Sequence, residues 1–303
     1  MRSLKSIAML IVANLLIFLT LAISGNILIY FILPALGIDV RGSVATHQFA
    51  WAMVFGFGGA FISLWMSKMM AKRGMQMQQV LQPATEKEKL VYNTVKDLAA
   101  REGIKMPEVW VYWDEVPNAF ATGPSRNNSM VAVSSGLAMN MSDNQLKAVL
   151  AHEVGHIANG DMVTTTLLQG LMNTFVYFLA NMIARMVASN REGGMNHFLY
   201  FAVDMALQIV FSILAQIPVR WYSRKREFEA DAYAARAVGA QHMIGALQRL
   251  EALSNATQHL QHVPTEEDAL ATMKIYGASG GVSGLFATHP TIEDRVAALR
   301  SLG

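Results

Sequence analysis

Cysteine is absent from this sequence of 303 residues. A chain without cysteine can form neither a disulfide framework nor a thiolate zinc site, so any metal must be bound by histidine and carboxylate side chains. Charged residues are also scarce, at 15%, whereas hydrophobic residues make up 53%. This balance is wrong for an ordinary soluble enzyme, and it predicts that much of the apolar surface lies in a lipid bilayer.

A strong positive charge is missing as well. The net charge is +2, which is too small to favour nucleic acid, and no stretch interleaves aromatic and basic residues as a single-strand binder would need. Nucleic acid is therefore excluded as a partner. The sequence leaves the oligomeric state open.

Long apolar runs divide the chain and predict four transmembrane helices in two hairpins. The first apolar run is too long for the core of a signal peptide, so it is predicted to be retained as a membrane anchor. The predicted spans are about 7–33 and 47–67 in an N-terminal hairpin (residues 1–70), and about 162–184 and 197–219 in a second hairpin (residues 162–219).

Two features within these runs have specific implications. The patch Gly56-Phe57-Gly58-Gly59 is of the kind that lets membrane helices approach closely. Asp204 interrupts the fourth run, and it could lie near the interface, line a polar path or indicate a re-entrant segment. The interface position is the preferred interpretation.

Basic residues are distributed unequally between the predicted sides of the membrane. By the positive-inside rule, the side with more of them is cytoplasmic. Both termini and a split domain of residues 71–161 and 220–303 are therefore predicted to face the cytoplasm. Nine basic residues lie on the predicted inner side (Arg2, Lys5, Lys68, Lys72, Arg73, Arg220, Arg224, Lys225, Arg226) and three on the outer side (Arg41, Arg185, Arg191).

The motif His152-Glu153-Val154-Gly155-His156 carries the chemistry. On a helix, residues four apart share a face, so both imidazoles can bind one zinc ion while Glu153 serves as the general base that activates water. The alternative is an ordinary amphipathic helix that holds two histidines. An apolar stripe and a cap residue favour a helix here. The cap is Asn144 or Ser142, and the stripe consists of Leu146, Val149, Leu150 and Ile157.

Two β-branched and aromatic runs before the motif predict strands, at residues 109–113 and 130–133. Between them lies a short extended stretch, 117–123, bounded by turn residues. As an edge strand it could bind a substrate backbone by sheet addition; an ordinary hairpin loop is an equally good interpretation.

A third metal ligand is expected from the helix that begins near Arg224. Glu227 and Asp231 are four apart on one face, so one can bind zinc while the other accepts the N–H of a ligand histidine. Glu229 is the reserve candidate. The competing interpretation pairs these carboxylates with Arg224 and Arg226 on a wet surface.

His289 precedes a helix that begins with proline. It could be a simple cap residue, or it could donate a hydrogen bond to the oxyanion formed when water attacks a peptide carbonyl.

Taken together, these residues resemble the HtpX membrane proteases, relatives of the Ste24 CAAX-processing proteases. One departure is Thr291, where the family commonly has a second proline. The matching blocks are Asn118-Ala119-Phe120-Ala121-Thr122-Gly123, His152 to Asp161, Ser223 to Asp231 and Thr288-His289-Pro290.

The resemblance implies a zinc endopeptidase of the bacterial inner membrane that acts in quality control of membrane proteins from the cytoplasmic side. It implies that Glu227 is the third zinc ligand, Asp231 its supporting partner and His289 the transition-state donor. The resemblance also implies a substrate-binding edge formed by Asn118, Ala119, Phe120 and Ala121.

The expected fold is a mainly α membrane protein with four transmembrane helices and a cytoplasmic α+β zincin-like domain that contains a small sheet. The expected partners are the bilayer and membrane-protein or peptide substrates, with one catalytic Zn²⁺. Two alternatives remain: a Ste24-type protease for lipidated peptides, and a non-proteolytic scaffold with structural zinc. The intact Glu153 argues against the scaffold, because a structural site needs no base.

Overall fold

The computed structural model describes residues 19–40, 42–189, 194–258 and 289–302. The described chain is mainly helical with one small mixed sheet. In chain order the elements are α1 (Leu19–Ala35, with a π-helical turn at Leu28–Ile32), α2 (Val44–Gly74), β1 (Met77–Gln79), α3 (Glu86–Arg101), β2 (Glu108–Tyr112), β3 (Ala119–Ser125), β4 (Asn128–Ser134), α4 (Ser135–Asn140), α5 (Asp143–Asn159), α6 (Asp161–Ala188), α7 (His197–Val238), α8 (Ala240–Gln258) and α9 (Ile292–Arg300).

Contacts divide the chain into two compact units. The first comprises the described residues up to Ser63 together with Thr166–Ile217, and the second comprises Leu64–Thr165 and the described residues from Pro218 onward. Three described helices, α2, α6 and α7, are long and apolar enough to cross a membrane, and α1 is a shorter apolar helix. The first predicted span begins outside the described residues, so the count of four spans stays a prediction.

The glycine patch of α2 brings helices of the first unit close together. A Cβ atom on Gly56 would lie 2.6 Å from the backbone nitrogen of Thr174 and 2.9 Å from the carbonyl oxygen of Gly170, both on α6. A Cβ atom on Gly58 would overlap the side chain of Leu21 on α1. The predicted close approach is confirmed, and it involves two neighbouring helices because successive glycines point in different directions.

Helix α7 differs from the prediction. The sequence indicated a span ending near residue 219 and a separate helix from Arg224, but the structure has a single helix of 42 residues with Pro218 in its interior. Proline removes one backbone hydrogen bond and often ends a helix. A long apolar helix tolerates it when neighbouring groups satisfy the freed carbonyl, as in membrane proteins.

The sheet of the second unit has the order β1-β2-β4-β3. Strands β2 and β4 are parallel, whereas β1 and β3 pair antiparallel with their neighbours. The stretch around residues 117–123 therefore contributes a strand, β3, at the end of the described sheet rather than a loop, and its binding of a substrate stays a prediction. Strand β1 was not predicted, because three residues are too few for an alternating pattern.

Helix α5 lies at the centre of the second unit. Its apolar residues Leu146, Leu150, Val154 and Ile157 are completely buried, and each buried side chain of this size contributes about 1.5–3 kcal/mol. The helix begins with a capping box in which the side chains of Ser142 and Gln145 satisfy each other's backbone N–H groups. Surrounding elements contribute Val91 and Val95 from α3, Val131 and Val133 from β4, Met243 and Leu247 from α8, and Val296 and Leu299 from α9.

Candidate metal centre

The two histidines of the motif face the same point. Nε2 of His152 lies 3.1 Å from Nε2 of His156, and the two rings meet edge to face with centroids 4.7 Å apart. Their four-residue spacing on α5 places them on one face, as the sequence predicted. His152 is buried, and His156 is partly buried.

Each histidine has its other ring nitrogen next to a carboxylate. Nδ1 of His152 lies 2.8 Å from Oδ1 of Asp231, and Nδ1 of His156 lies 2.7 Å from Oδ2 of Asp161. A carboxylate at this position accepts the Nδ1–H and leaves the Nε2 lone pair for a metal ion. Both imidazoles are therefore oriented as metal ligands, and Asp161 is a supporting residue that the sequence analysis did not identify.

Glu227 of α7 completes the group. Its carboxylate oxygens lie 3.5 Å from Nε2 of His152 and 3.3 Å from Nε2 of His156. Within the described ranges, these three residues form the one group of at least three possible metal-ligating side chains, with ligand atoms all within 4.8 Å of one another. The prediction that this helix supplies a third donor agrees with this placement.

The spacing of the donors fits zinc. Tetrahedral coordination at about 2.0–2.1 Å places neighbouring donor atoms about 3.3–3.5 Å apart. The separations here, 3.1 Å between the imidazole nitrogens and 3.3 and 3.5 Å to the carboxylate oxygens, are close to that range. Two imidazoles and one carboxylate are also a donor set that zinc accepts while leaving a position open.

Electrostatics keep the buried carboxylates ionised. Burial alone would raise the pKa of Glu227, but the charge of His289 and the imidazoles of His152 and His156 beside the carboxylate hold it well below its ordinary value. Burial likewise opposes ionisation of Asp231, whereas Arg295 holds its pKa below the usual range. The cage formed by His152, His156 and Glu227 therefore contains an ionised carboxylate, which favours a bound cation.

The same anions act on the histidines. Burial lowers the pKa of His156, but the hydrogen bonds to Asp161 and Glu227 outweigh it and raise the pKa to about 10. Glu153 adds a smaller contribution from its charge. Glu153 itself is only 5% exposed, and its charge acts on both His156 and Arg295, so it lies near these groups.

Arg295 is a second supporting residue that the sequence did not reveal. It is completely buried, and its guanidinium contacts both oxygens of Asp231, at 2.7 Å from Nε and 2.6 Å from Nη2. Nη1 lies 3.4 Å from Oε2 of Glu227. One signal in the sequence was available: this arginine lies in the first turn of the helix that follows His289.

Arg226 also belongs to the centre rather than to a wet surface. Its Nε lies 2.6 Å from Oδ1 of Asp161, and Nη1 contacts Glu229. The competing interpretation placed Glu227 and Asp231 on a wet surface, paired with arginines. It is wrong for these two carboxylates, because both are buried among other residues. Glu229, the reserve candidate for a ligand, pairs with Arg226 and is not in the metal-ligating group.

His289 and the start of β3 lie in the same unit as the cage. Nδ1 of His289 is 2.9 Å from Oε2 of Glu227, without hydrogen-bond alignment, and Nε2 of His289 has no hydrogen-bond partner among the described residues. Strand β3 packs against α5. Asn118 precedes the strand, and Ala119 and Phe120 are paired with Val133 and Ala132 of β4.

Comparisons with known proteins agree with this arrangement. Residues 85–302 match Peptidase family M48. Protease HtpX of Pasteurella multocida is 47% identical over 289 residues, which cover 94% of this chain and 98% of that protein. Protease HtpX of Idiomarina loihiensis is 43% identical over 301 residues, with 97% and 98% covered. The crystal structure of S. mikatae Ste24p aligns with a TM-score of 0.59 at 22% identity, over 96% of this chain and 67% of that chain, and shows a shared fold.

Proposed function

Because this chain belongs to peptidase family M48 and is a membrane metalloprotease, we propose that it is a zinc endopeptidase whose ion is held by His152, His156 and Glu227. The resemblance inferred from the sequence is thereby confirmed at the level of the family. The observation that carries the zinc assignment is the spacing of the three donors, each separated from the next by 3.1–3.5 Å.

The side chains around the donors suit peptide hydrolysis. Zinc, when bound, supplies a Lewis acid that polarises a peptide carbonyl and makes a water molecule nucleophilic at neutral pH. Glu153 accepts the proton of the attacking water and delivers it to the leaving amine, in the role of general base and then general acid. His289 donates a hydrogen bond to the oxyanion, a role supported by its unpartnered Nε2.

The edge strand β3 supplies the binding surface for the substrate in this proposal. A substrate in extended conformation pairs its backbone with the segment Asn118, Ala119, Phe120 and Ala121. The position of β3 at the end of the described sheet and its packing against α5 support this assignment. Backbone pairing depends little on side chains, which suits a protease that degrades many different polypeptides.

The topology in the proposal follows the charge distribution. Spans at about 7–33, 47–67, 162–184 and 197–219 place the split protease domain, 71–161 and 220–303, on the cytoplasmic side of a bacterial inner membrane. Its substrates are then misfolded or damaged membrane proteins. The alternative, processing of lipidated peptides, is suggested by the Ste24p likeness, which extends to the fold alone.

The test uses the full-length protein in detergent with a misfolded, unlipidated membrane protein and, separately, a prenylated peptide. We expect cleavage of the first substrate, loss of activity with a chelator and recovery with added zinc. Glu153→Gln should retain stoichiometric zinc and abolish cleavage, whereas the exposed control Glu115→Gln should behave like the unaltered protein. Undiminished cleavage by Glu153→Gln would contradict the assigned base, and cleavage of the prenylated peptide alone would favour the alternative.

A further inference from the structure

A cavity of about 470 Å³ lies within the first unit, between α2, α6 and α7. Its polar lining includes His47 and Gln48 of α2, and Asn181 and Arg185 of α6. The residues of the metal centre belong to the second unit, so this cavity has no part in the chemistry proposed above. Its size is within the range of about 300–1,000 Å³ that is typical of ligand pockets.

The polar groups lie near helix ends. His47 and Gln48 are in the first two turns of α2, which begins at Val44, and Arg185 is in the last turn of α6, which ends at Ala188. Trp51 and Phe55 line the same cavity one and two turns further along α2. The lining therefore changes from polar to apolar along a membrane-spanning helix, as the surroundings change from headgroup to hydrocarbon.

Hydrogen-bonding groups in this cavity are incompletely satisfied. Nδ1 of His47 and Nε2 of Gln48 are buried and have no partner among the described residues. Burying a polar group without a hydrogen-bond partner costs free energy, because the group gives up its hydrogen bonds to water and gains none in return. A bound ligand or ordered water is therefore expected in the cavity.

The unsatisfied groups favour a ligand rich in acceptors. The amide nitrogen of Gln48 can only donate, and the guanidinium of Arg185 carries several donors. Nε of Arg185 donates to Oδ1 of Asn181 at 3.2 Å, and the guanidinium carbon lies 5.7 Å from the ring centroid of Tyr200. These contacts with Asn181 and Tyr200 orient the side chain along the cavity wall, and the guanidinium has five N–H donors, more than these two contacts use.

A second charge lies close to this lining. Gln208, which also lines the cavity, donates to Oδ2 of Asp204 at 2.7 Å, and Oδ1 of Asp204 is buried with no hydrogen-bond partner in the part of the chain that the structure describes. Asp204 therefore supports one wall of the cavity. One cationic and one anionic side chain next to a cavity suit a ligand that carries a phosphate and has little net charge.

We propose that this cavity binds the phosphodiester headgroup of a membrane phospholipid. Arg185 and the amide of Gln48 bind the phosphate oxygens, and the glycerol and the first part of an acyl chain contact Trp51 and Phe55. Guanidinium groups bind phosphate with strong, charge-assisted hydrogen bonds, and an amphipathic ligand matches the polar and apolar ends of the cavity.

Native mass spectrometry of the full-length protein in detergent tests the proposal, with dioleoyl phosphatidylethanolamine as the probe. We expect one saturable molecule per chain. Arg185→Gln and Gln48→Leu should each weaken its binding about tenfold, the loss expected for one strong hydrogen bond. Arg73→Gln, at the other end of α2, is the matched control and should bind like the unaltered protein.

Dioleoylglycerol, which has the same acyl chains and no phosphate, should fail to compete. Equal competition by dioleoylglycerol would overturn the proposal, since the cavity would then take the acyl chains alone. Unchanged affinity in Arg185→Gln or in Gln48→Leu would overturn it as well. If one variant is not monodisperse after purification, the other single variant decides the outcome.

Discussion

Nδ1 of His156 lies 2.7 Å from Oδ2 of Asp161, the first residue of α6. Only Gly160 separates α5 from α6, and its φ of 75° lies in the left-handed region that favours glycine. This conformation ends α5 and turns the chain so that the next residue reaches back to the histidine. The start of an apolar helix thus supplies a carboxylate to the metal centre.

Replacing Asp161 by Asn should weaken zinc binding. The imidazole of His156 would lose its charged acceptor and face a neutral amide in its place, and losses of this kind lower metal affinity about 10–100-fold. A competition titration with a zinc-binding dye measures the change. Glu229→Gln is the control, because Glu229 shares Arg226 with Asp161 without contacting a histidine. Equal zinc affinity in Asp161→Asn and in the unaltered protein would contradict this role.

Replacing Arg295 by Met should destabilise the second unit. The methionine fills most of the volume, but the carboxylate of Asp231 would remain buried without its two charged hydrogen bonds. Removing one partner of a buried ion pair costs about 3–5 kcal/mol. Denaturant unfolding of the purified protein in detergent measures the loss.

The double variant Arg295→Met with Asp231→Asn separates the two contributions. It removes the uncompensated charge, so we expect it to recover part of the stability that Arg295→Met loses. A double variant that is less stable than the sum of the single changes would contradict this account of the pair.

Alanine substitutions at two glycines of α2 should change the stability of the first unit in opposite directions. A Cβ atom at Gly56 would lie 2.6 Å from the backbone nitrogen of Thr174, so we expect Gly56→Ala to destabilise the first unit by about 1–3 kcal/mol. A Cβ atom at Gly59 would meet no described residue within 4 Å, so Gly59→Ala should gain up to about 1 kcal/mol of helix propensity. Thermal unfolding in detergent compares the two variants, and equal effects would refute close packing at Gly56.

Glu108 should make the folded protein lose stability at acid pH. Burial opposes its ionisation, but hydrogen bonds from Lys68, Lys72 and Trp110 lower the pKa from 4.5 to about 2. A depressed pKa contributes stability that is fully present above 4.5 and is lost as the pH falls towards about 2. Unfolding between pH 7 and 2 should show this loss.

Glu108→Gln is the test of that contribution, because it removes the titrating group and keeps the shape. The variant should be less stable at neutral pH and should lose less stability between pH 4.5 and 2. The exposed Glu115→Gln should keep the original dependence. The same slope in Glu108→Gln would assign the acid sensitivity to other carboxylates.

The local part of the metal centre could be predicted from the sequence, and the long-range part could not. Four-residue spacing places His152 and His156 on one face whatever surrounds the helix. A carboxylate donor on the helix from Arg224 could be anticipated from the pair Glu227 and Asp231, and the resemblance to a known family then selected Glu227. The contacts of Arg226 with Asp161 and of Arg295 with Asp231 depend on how distant elements pack, and a charged residue near a helix start is usually exposed to solvent.

Secondary structure shows the same division. The helix containing the motif was predicted from its apolar stripe and cap, and Ser142 is the cap that the structure uses. The continuity of α7 through Pro218 was not predicted, because the proline and the basic residues beyond it resemble a helix end. These local signals favour a helix end after Pro218, but the helix continues through it to Val238.

The centre draws its side chains from three separated stretches, 152–161, 227–231 and 289–295. A ribosome makes these stretches in order, so the two histidines exist long before Glu227 and Arg295. A nascent chain that ends before residue 227 lacks the third donor, and one that ends before residue 295 lacks the guanidinium that contacts both oxygens of Asp231. The complete set of side chains therefore exists only once nearly the whole chain has been made.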